Sequence, residues 1–348
     1  AVDFEPRRDG PPGEPLAWRQ DLFEEVLRHV GLDAIPATLP ALGGVDAGGT
    51  PMHELRRRAT DLVAALGFAE AIHFAFQDRA ADEAWPRLAG AGEPLELANP
   101  LSERHAVLRR TLVANLVASA AFNAHRGADG VRLFECGRLF PGGEAAEVEA
   151  IALAAGGRLG SAWDRPAAVD LPAFKGFFEA LFEELGVVAV ARPADLPGIL
   201  PGTGGEWTLA GERIGWFGRT AATGLPFELF VGELRLDRFD PAAGPRRITA
   251  PPRVPGVAAD LTLTHRLELS WAELAAAIDE LAAPPLVGYR LEERYRGTGV
   301  PDGAVATTIR FDYNAGERSL TQEEVNERHA ALAAELERRF GTGREAES

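Results

Sequence analysis

The sequence contains one cysteine, Cys136, and one lysine, Lys175, and these scarcities exclude several kinds of site. A single cysteine forms neither a disulfide framework nor a thiolate zinc site. The seven histidines are scattered, and no pair shows the H-x-x-x-H spacing of a zinc-binding helix, so no metal site is predicted. No apolar run approaches 18 residues and no signal peptide is visible, so we expect a cytoplasmic protein without membrane contact.

Motifs for nucleotide binding and covalent catalysis are also missing. There is no G-x-x-x-x-G-K-[ST] phosphate loop, because the only lysine, Lys175, lies at the start of a predicted helix. The glycine-rich residues 202–205 are typical of a tight turn between strands, and no G-x-S-x-G nucleophile motif occurs. The residues themselves therefore predict no catalytic group and no bound cofactor.

The composition is that of a globular protein with 46% hydrophobic and 25% charged residues. The length of 348 residues is enough for two or three domains with cores of their own. A formal charge of −16 argues against a protein that coats nucleic acid nonspecifically, since phosphate binding needs a cationic surface. A small basic patch on one domain remains compatible with that charge.

Hydrophobic periodicity predicts helices alternating with glycine-bounded strands in the first 240 residues. The predicted helices cover residues 22–30, 53–66, 107–123 and 174–185, and the predicted strands cover residues 68–76, 131–140, 151–155 and several short stretches from 207 to 236. The order favours an α+β domain on a mostly antiparallel sheet. Residues 40–51 are rich in glycine and read as a linker.

A second domain is predicted after the Pro/Gly-rich residues 240–255. Its predicted elements are a strand at 259–265, a helix opened by the Ser270–Glu273 capping box, strands at 286–296 and 304–313, and a helix opened by the Thr321–Glu324 capping box. This order of strand, helix, strand, strand and helix is nearly that of the ferredoxin-like fold.

Eight segments, taken in order, resemble the bacterial phenylalanyl-tRNA synthetase β subunits. They are residues 21–26 (DLFEEV), 31–36 (GLDAIP), 66–71 (LGFAEA), 99–103 (NPLSE), 108–112 (LRRTL), 133–140 (LFECGRLF), 170–176 (DLPAFKG) and 318–326 (RSLTQEEVN). No single segment is specific, but the ordered set spans essentially the whole chain.

The resemblance implies three pieces: the end of a preceding domain at 1–40, a catalytically silent class II aminoacyl-tRNA synthetase-like core with an antiparallel sheet at 41–245, and a ferredoxin-like anticodon-binding domain at 250–348. The family's editing and N-terminal tRNA-binding domains would precede Ala1. The implied function is that of a non-catalytic subunit of phenylalanine–tRNA ligase, inactive alone, that supports the α subunit and binds tRNA. ATP and magnesium would then be held by α in an α2β2 heterotetramer.

Two surfaces follow from the resemblance. Class II cores build their dimer interface from a helix and the strand after it, here residues 53–66 and 68–76, so the α interface is predicted at Leu55, Leu62, Leu66 and Phe68. In the last domain, strand alternation predicts an open sheet face carrying Arg290, Arg294, Arg296 and Arg310, a candidate tRNA contact. Glu292 and Asp312 are predicted on the same face, so mutual ion pairing of these side chains is the open alternative.

Departures from the family pattern leave other interpretations open. The family's PSVRRDL reads PGVAADL at residues 255–261, and from Arg253 onward there are eleven arginines against seventeen acidic residues. A stand-alone RNA- or protein-binding paralogue outside aminoacylation is the first alternative. A small-molecule enzyme using a cleft of the large domain is the second. Arg132 and Arg138, in the segment that resembles the ATP-binding motif of class II cores, are interpreted as surface charge.

Overall fold

A computed structural model describes residues 15–38, 49–90, 92–100, 102–143, 146–158, 160, 163, 166–221, 224–240 and 250–341. Residues 40–48 of the predicted linker and residues 241–249 of the predicted boundary lie outside this set. The chain divides into two compact units, unit 1 at residues 1–246 and unit 2 at residues 247–348. Each unit is described by itself below.

Unit 1 is built on a seven-stranded sheet with the order β1-β4-β5-β9-β8-β7-β6. Its strands are β1 (Ala69–Glu70), β4 (Gly130–Leu139), β5 (Val148–Gly157), β6 (Val190–Pro193), β7 (Gly205–Leu209), β8 (Glu212–Arg219) and β9 (Leu229–Arg235), and a separate pair is formed by β2 (Phe76–Gln77) and β3 (Val107–Leu108). All neighbours in the large sheet are antiparallel except β1 and β4. The predicted α+β class with a mostly antiparallel sheet is confirmed.

The helices of unit 1 supply the layers on both sides of this sheet. They are α1 (Pro15–Val30), α2 (Pro51–Ala65), α3 (Arg79–Glu83), α4 (Val113–Ala124) and α5 (Leu171–Leu185), with short 3₁₀ turns at Leu32–Ala34, Glu103–His105 and Leu236–Arg238. Side chains alternate along β5, so Ile151 and Leu153 enter a core shared with α2 and α5. Ala150 and Ala152 enter a second core shared with α4. The sheet is therefore covered on both faces.

Helix α5 forms as its sequence predicts. Asp170 caps its first turn by accepting a hydrogen bond from the Ala173 backbone N–H at 2.8 Å. Gly186 ends it in the left-handed conformation, at φ 70°. Phe174 and Phe178 recur one turn apart on its buried face and contact each other edge-on. Local capping and helical periodicity were thus sufficient to locate this helix.

Two predicted elements of unit 1 are shorter than expected. The predicted helix at 107–123 begins only at Val113, because the preceding residues run as a buried extended segment. The predicted strand at 68–76 is reduced to β1 and β2 at its ends. Between them the chain is held by side-chain hydrogen bonds to α4 and β4 instead of by a ladder of backbone bonds.

Unit 2 has a three-stranded antiparallel sheet with the order β10-β12-β11. Its elements are β10 (Val257–Arg266), α6 (Trp271–Leu281), β11 (Leu286–Tyr295), β12 (Ala304–Tyr313) and α7 (Gln322–Phe340). Both predicted capping boxes are present. The predicted order of elements is confirmed, and where a further strand was unclear the described chain shows a single bridge between His265 and Gly341.

The described residues contain neither a candidate membrane span nor a candidate metal-binding cluster. No helix in these ranges is both long enough and apolar enough to cross a membrane. Likewise, no group of three or more His, Cys, Asp or Glu side chains in the described ranges could hold a metal ion.

Candidate functional site

The segment from Arg109 to Leu112 crosses unit 1 beneath the surface and is fixed by buried charges. The Arg110 guanidinium and backbone N–H donate to the Asp82 carboxylate at 2.5 and 2.7 Å. Both side chains are almost inaccessible to solvent. Buried ion pairs are stable only when fully hydrogen-bonded, and here Gln77 donates a further bond to Asp82. This pairing explains why the chain is extended here although its pattern favoured a helix.

Glu233, in β9, forms hydrogen bonds with the end of the same segment. Its carboxylate accepts the Leu112 backbone N–H at 2.6 Å and the Thr111 hydroxyl at 3.1 Å. Glu233 is completely buried, and burial raises its pKa to about 8, although these hydrogen bonds and the charge of Arg109 act in the opposite direction. The carboxylate thus anchors the backbone that leads into α4.

A second hydrogen-bonded chain fastens the edge of the sheet. Arg109 donates to Glu135 at 2.5 Å, and the other Glu135 oxygen contacts His73 Nδ1 at 2.6 Å. On its far side His73 Nε2 lies 2.7 Å from the Ser119 hydroxyl of α4. His73 therefore points inward, and alternation in the extended segment turns Ile72 and Phe74 outward.

The outward side chains form an apolar patch, which we call the edge patch and define as Ile72, Phe74 and Phe122. Their exposed fractions are 87%, 74% and 55%. Asn115 and Ser119, on the face of α4 that carries Phe122, contact Phe74 O and His73 respectively, so helix and edge segment adjoin. Exposed apolar side chains grouped on a rigid support are typical of a protein interface.

The predicted α interface is wrong for two of its four residues. Leu55 and Phe68 are 1% and 5% exposed and pack into the core of their own unit, so no partner can reach them. Leu62 and Leu66 are half-buried against the same core. The helical spacing located the element correctly but could not tell which of its faces the sheet covers. The edge patch was missed, because exposure of Ile72 and Phe74 depends on the inward pull on His73.

Arg132 and Arg138 are both engaged with the protein. Arg138 bridges Glu149 at 3.0 Å and Glu147 at 2.8 Å on the surface. Arg132 donates to the Leu66 carbonyl at 3.2 Å and its guanidinium lies 5.3 Å from the Phe177 ring centre. These contacts agree with the interpretation of both side chains as charge flanking a buried strand.

On the open sheet face of unit 2, two of the four predicted tRNA contacts lie side by side. Arg290 and Arg310 are directly opposite each other on β11 and β12. Arg290 pairs with Glu292 at 2.7 Å and with Asp312 at 3.1 Å, and Arg310 lies 3.8 Å from Asp260. The alternative of mutual ion pairing on this face is thus realised for both guanidinium groups.

The predicted placement of Arg294 on that open face is wrong. A bulge between Leu291 and Glu293 shifts the register of β11, so Arg294 lies opposite Thr307 on the face packed by helices. Its guanidinium donates to the Leu269 carbonyl at 3.2 Å. Arg296 follows the last residue of β11 and lies beyond the ladder. One inserted residue reverses every later side chain, and strict alternation could not predict it.

The bulge also places Tyr295 on the open face of the sheet. The Tyr295 ring is 45% exposed and lies opposite Ala306. Arg266, which the sequence analysis did not single out, ends β10 at the same end of the sheet.

Each of the two units matches a model of a known protein family. The family model described as "Phenylalanyl tRNA synthetase beta chain CLM domain" matches residues 35–235. The model described as "Ferredoxin-fold anticodon binding domain" matches residues 252–344.

Curated relatives agree with these matches. The chain is 32% identical over 343 residues to the phenylalanine–tRNA ligase β subunit of Geobacillus kaustophilus, covering 94% of this chain. It is also 32% identical to the proteins of the same name from Bacillus thuringiensis, over 92% of this chain, and Xanthomonas axonopodis, over 93%. In each case the match spans 42% of the relative's length.

Proposed function

Because the chain belongs to the phenylalanyl-tRNA synthetase β-chain family, we propose that it acts as a non-catalytic part of phenylalanine–tRNA ligase. In this role it supports a catalytic α subunit and binds tRNA during ATP-dependent attachment of phenylalanine. The observation that carries the proposal is the ordered match of two family models to the two units, at residues 35–235 and 252–344.

The geometry of unit 1 favours a non-catalytic role for this chain. Catalytic clefts are concave and present convergent polar groups, whereas both faces of this sheet are packed by helices. Its buried charged groups are bonded to the crossing segment and to one another. We therefore place ATP and magnesium in the α subunit.

The edge patch is the surface we propose for the α subunit. Obligate interfaces are large and apolar, and a flat edge with outward Ile72 and Phe74 can begin such a contact. An α2β2 heterotetramer and a cytoplasmic location complete the proposal, since translation, which consumes the charged tRNA, takes place there.

Co-expression with a phenylalanine-specific α subunit tests the assembly. We expect the wild-type chain to co-elute with α at micromolar concentration and Phe74→Asp to weaken the complex at least tenfold, as for a truncated interface hot spot. Val188→Asp is a matched control, because Val188 is 85% exposed elsewhere on the same unit. Separate elution of the wild-type chain and α would contradict the proposal.

The proposed absence of catalytic activity is tested on the purified chain without the α subunit. We expect no phenylalanine-dependent pyrophosphate exchange, because Arg132 and Arg138 are bonded within the protein. A clear exchange signal that disappears in Arg138→Ala would show an adenylate-forming site here and overturn the non-catalytic assignment.

A further inference from the structure

Ser119, His73 and Glu135 form a continuous chain of hydrogen bonds in unit 1. Ser119 Oγ lies 2.7 Å from His73 Nε2, and His73 Nδ1 lies 2.6 Å from Glu135 Oε2. Because a carboxylate only accepts hydrogen bonds, Nδ1 carries the proton that is donated to Glu135, and Nε2 of the neutral ring then accepts the Ser119 hydroxyl. A hydroxyl bonded to a base that a third group orients is the arrangement that activates a serine nucleophile.

The acid of this chain is held in place by the protein itself. Glu135 is 3% exposed, and its other oxygen accepts the Arg109 guanidinium at 2.5 Å and the His73 backbone N–H at 3.3 Å. Arg109 in turn donates to the Arg138 carbonyl at 3.0 Å. These bonds fix the carboxylate, so the imidazole keeps one tautomer and one orientation toward the serine.

Two other imidazole rings in the described part of the chain contact a serine or threonine hydroxyl, and neither pair has the same properties. Thr307 lies 2.7 Å from His265 Nε2 but is 1% exposed, so no substrate can reach its hydroxyl. Ser102 is exposed and lies 3.0 Å from His105 Nδ1, but no carboxylate of the described residues contacts that ring. Half-buried Ser119 thus combines access to solvent with a base that a buried acid orients.

Asn115 and Phe122 lie about one turn on either side of Ser119 along α4. Asn115 Nδ2 carries two N–H groups, and at most one of them donates to Phe74 O, at 3.5 Å. The other can donate to an oxygen that becomes negative beside the serine. Phe122 is 55% exposed and presents an apolar surface next to the hydroxyl. These surroundings suit an ester whose acyl group is small and apolar.

We infer that Ser119 is the nucleophile of a site that hydrolyses small apolar carboxylic esters. The serine oxygen bonds to the carbonyl carbon while His73 Nε2 takes the hydroxyl proton, and His73 returns this proton to the alcohol as its bond to the carbonyl carbon breaks. Water then attacks the acyl-serine and gives a proton to His73, which passes it to the departing serine oxygen. The products are the acid and the alcohol. The reaction uses neither ATP nor tRNA, so it goes beyond the proposed function.

The test is hydrolysis of 4-nitrophenyl butyrate by the purified chain, together with mass spectrometry after treatment with a fluorophosphonate. The wild type should take one fluorophosphonate group, on the peptide that contains Ser119, and Ser119→Ala should lose both the label and the hydrolysis. His73→Gln should lower kcat at least about 100-fold, the lower end of a general-base contribution. Ser102→Ala is the matched control, because Ser102 also contacts an imidazole, and it should react as the wild type does.

Three further variants separate the chemical step from binding. Glu135→Gln should lower kcat at least about tenfold and leave KM unchanged, because the imidazole loses the acceptor that fixes its tautomer. Asn115→Ala should lower kcat by about 100-fold or more, as for a lost oxyanion donor. Phe122→Ala should raise KM several-fold and leave kcat unchanged, because it removes only an apolar contact with the acyl group.

The inference is overturned if the wild type neither hydrolyses the ester above the rate in buffer nor takes the label, or if the label lies on another residue. Equal rates for the wild type and His73→Gln, or equal losses in Ser119→Ala and Ser102→Ala, would also contradict it. Circular dichroism confirms that each variant is folded. Binding of the α subunit is measured separately, so failure here leaves the assembly proposal standing.

Discussion

Unit 1 and unit 2 use charge in opposite ways. In unit 1, Asp82, Arg110 and Glu135 are buried, with Arg110 bonded to Asp82 and Glu135 to Arg109. In the described part of unit 2 no carboxylate or guanidinium is buried, and the buried polar side chains are His265 and Thr307. The comparison teaches that charge in unit 1 fixes the backbone at the edge of the sheet, whereas charge in the described part of unit 2 stays at the surface in exposed ion pairs.

The largest expected difference between the two units is the loss of unfolding free energy when one charged side chain is removed from each. Arg110→Ala leaves Asp82 buried without its partner, so the free energy of unfolding of unit 1 should fall by about 3–5 kcal/mol. Arg290→Ala removes exposed ion pairs and should cost unit 2 under about 1 kcal/mol. Urea unfolding with pulsed hydrogen exchange on peptides from β9 and β12 reports the two units separately. Equal losses in both units would contradict the distinction.

The two units should also respond to pH in opposite directions. Folded Glu233 keeps its proton up to about pH 8 whereas the unfolded group loses it near 4.5, so raising the pH across this window destabilises unit 1. The slope is at most about 1.4 kcal/mol per pH unit. Folded His265 resists protonation, so unit 2 should lose stability as the pH falls below 6.5.

The same unfolding measurement checks this prediction between pH 5 and pH 8.5. Glu233→Gln should flatten the pH dependence of unit 1 and leave that of unit 2 unchanged, and His265→Gln should do the converse. A unit 1 that becomes more stable from pH 5 to pH 8 would show that the Glu233 carboxylate is ionised when buried.

The sequence predicted correctly the helices that are determined by residues close to them in the chain. The aromatic stripe of α5 and the Ser270 and Thr321 capping boxes depend on residues within one or two turns, and all three are present. Features that depend on distant residues were missed. Arg110 meets a carboxylate 28 positions away, and the burial of Leu55 depends on which face the sheet covers.

The candidate surfaces show the same limit. Alternation placed Arg290 and Arg310 correctly on the open face, but the β11 bulge moved Arg294 to the other face and exposed Tyr295. A bulge depends on how two strands pair, and the sequence of β11 contains no local signal that predicts this one. Sequence reasoning therefore located the domain and the positions of Arg290 and Arg310, but it could not predict the face that Arg294 occupies.

The proposed role of unit 1 as the support of a protein partner is tested most directly by one binding measurement. The wild type, Phe74→Asp and Val188→Asp are each titrated with the α subunit. We predict that Phe74→Asp loses α and that Val188→Asp binds α as the wild type does, because both side chains are exposed but only Phe74 belongs to the edge patch. Equal binding by all three proteins, or a loss confined to Val188→Asp, would contradict the account.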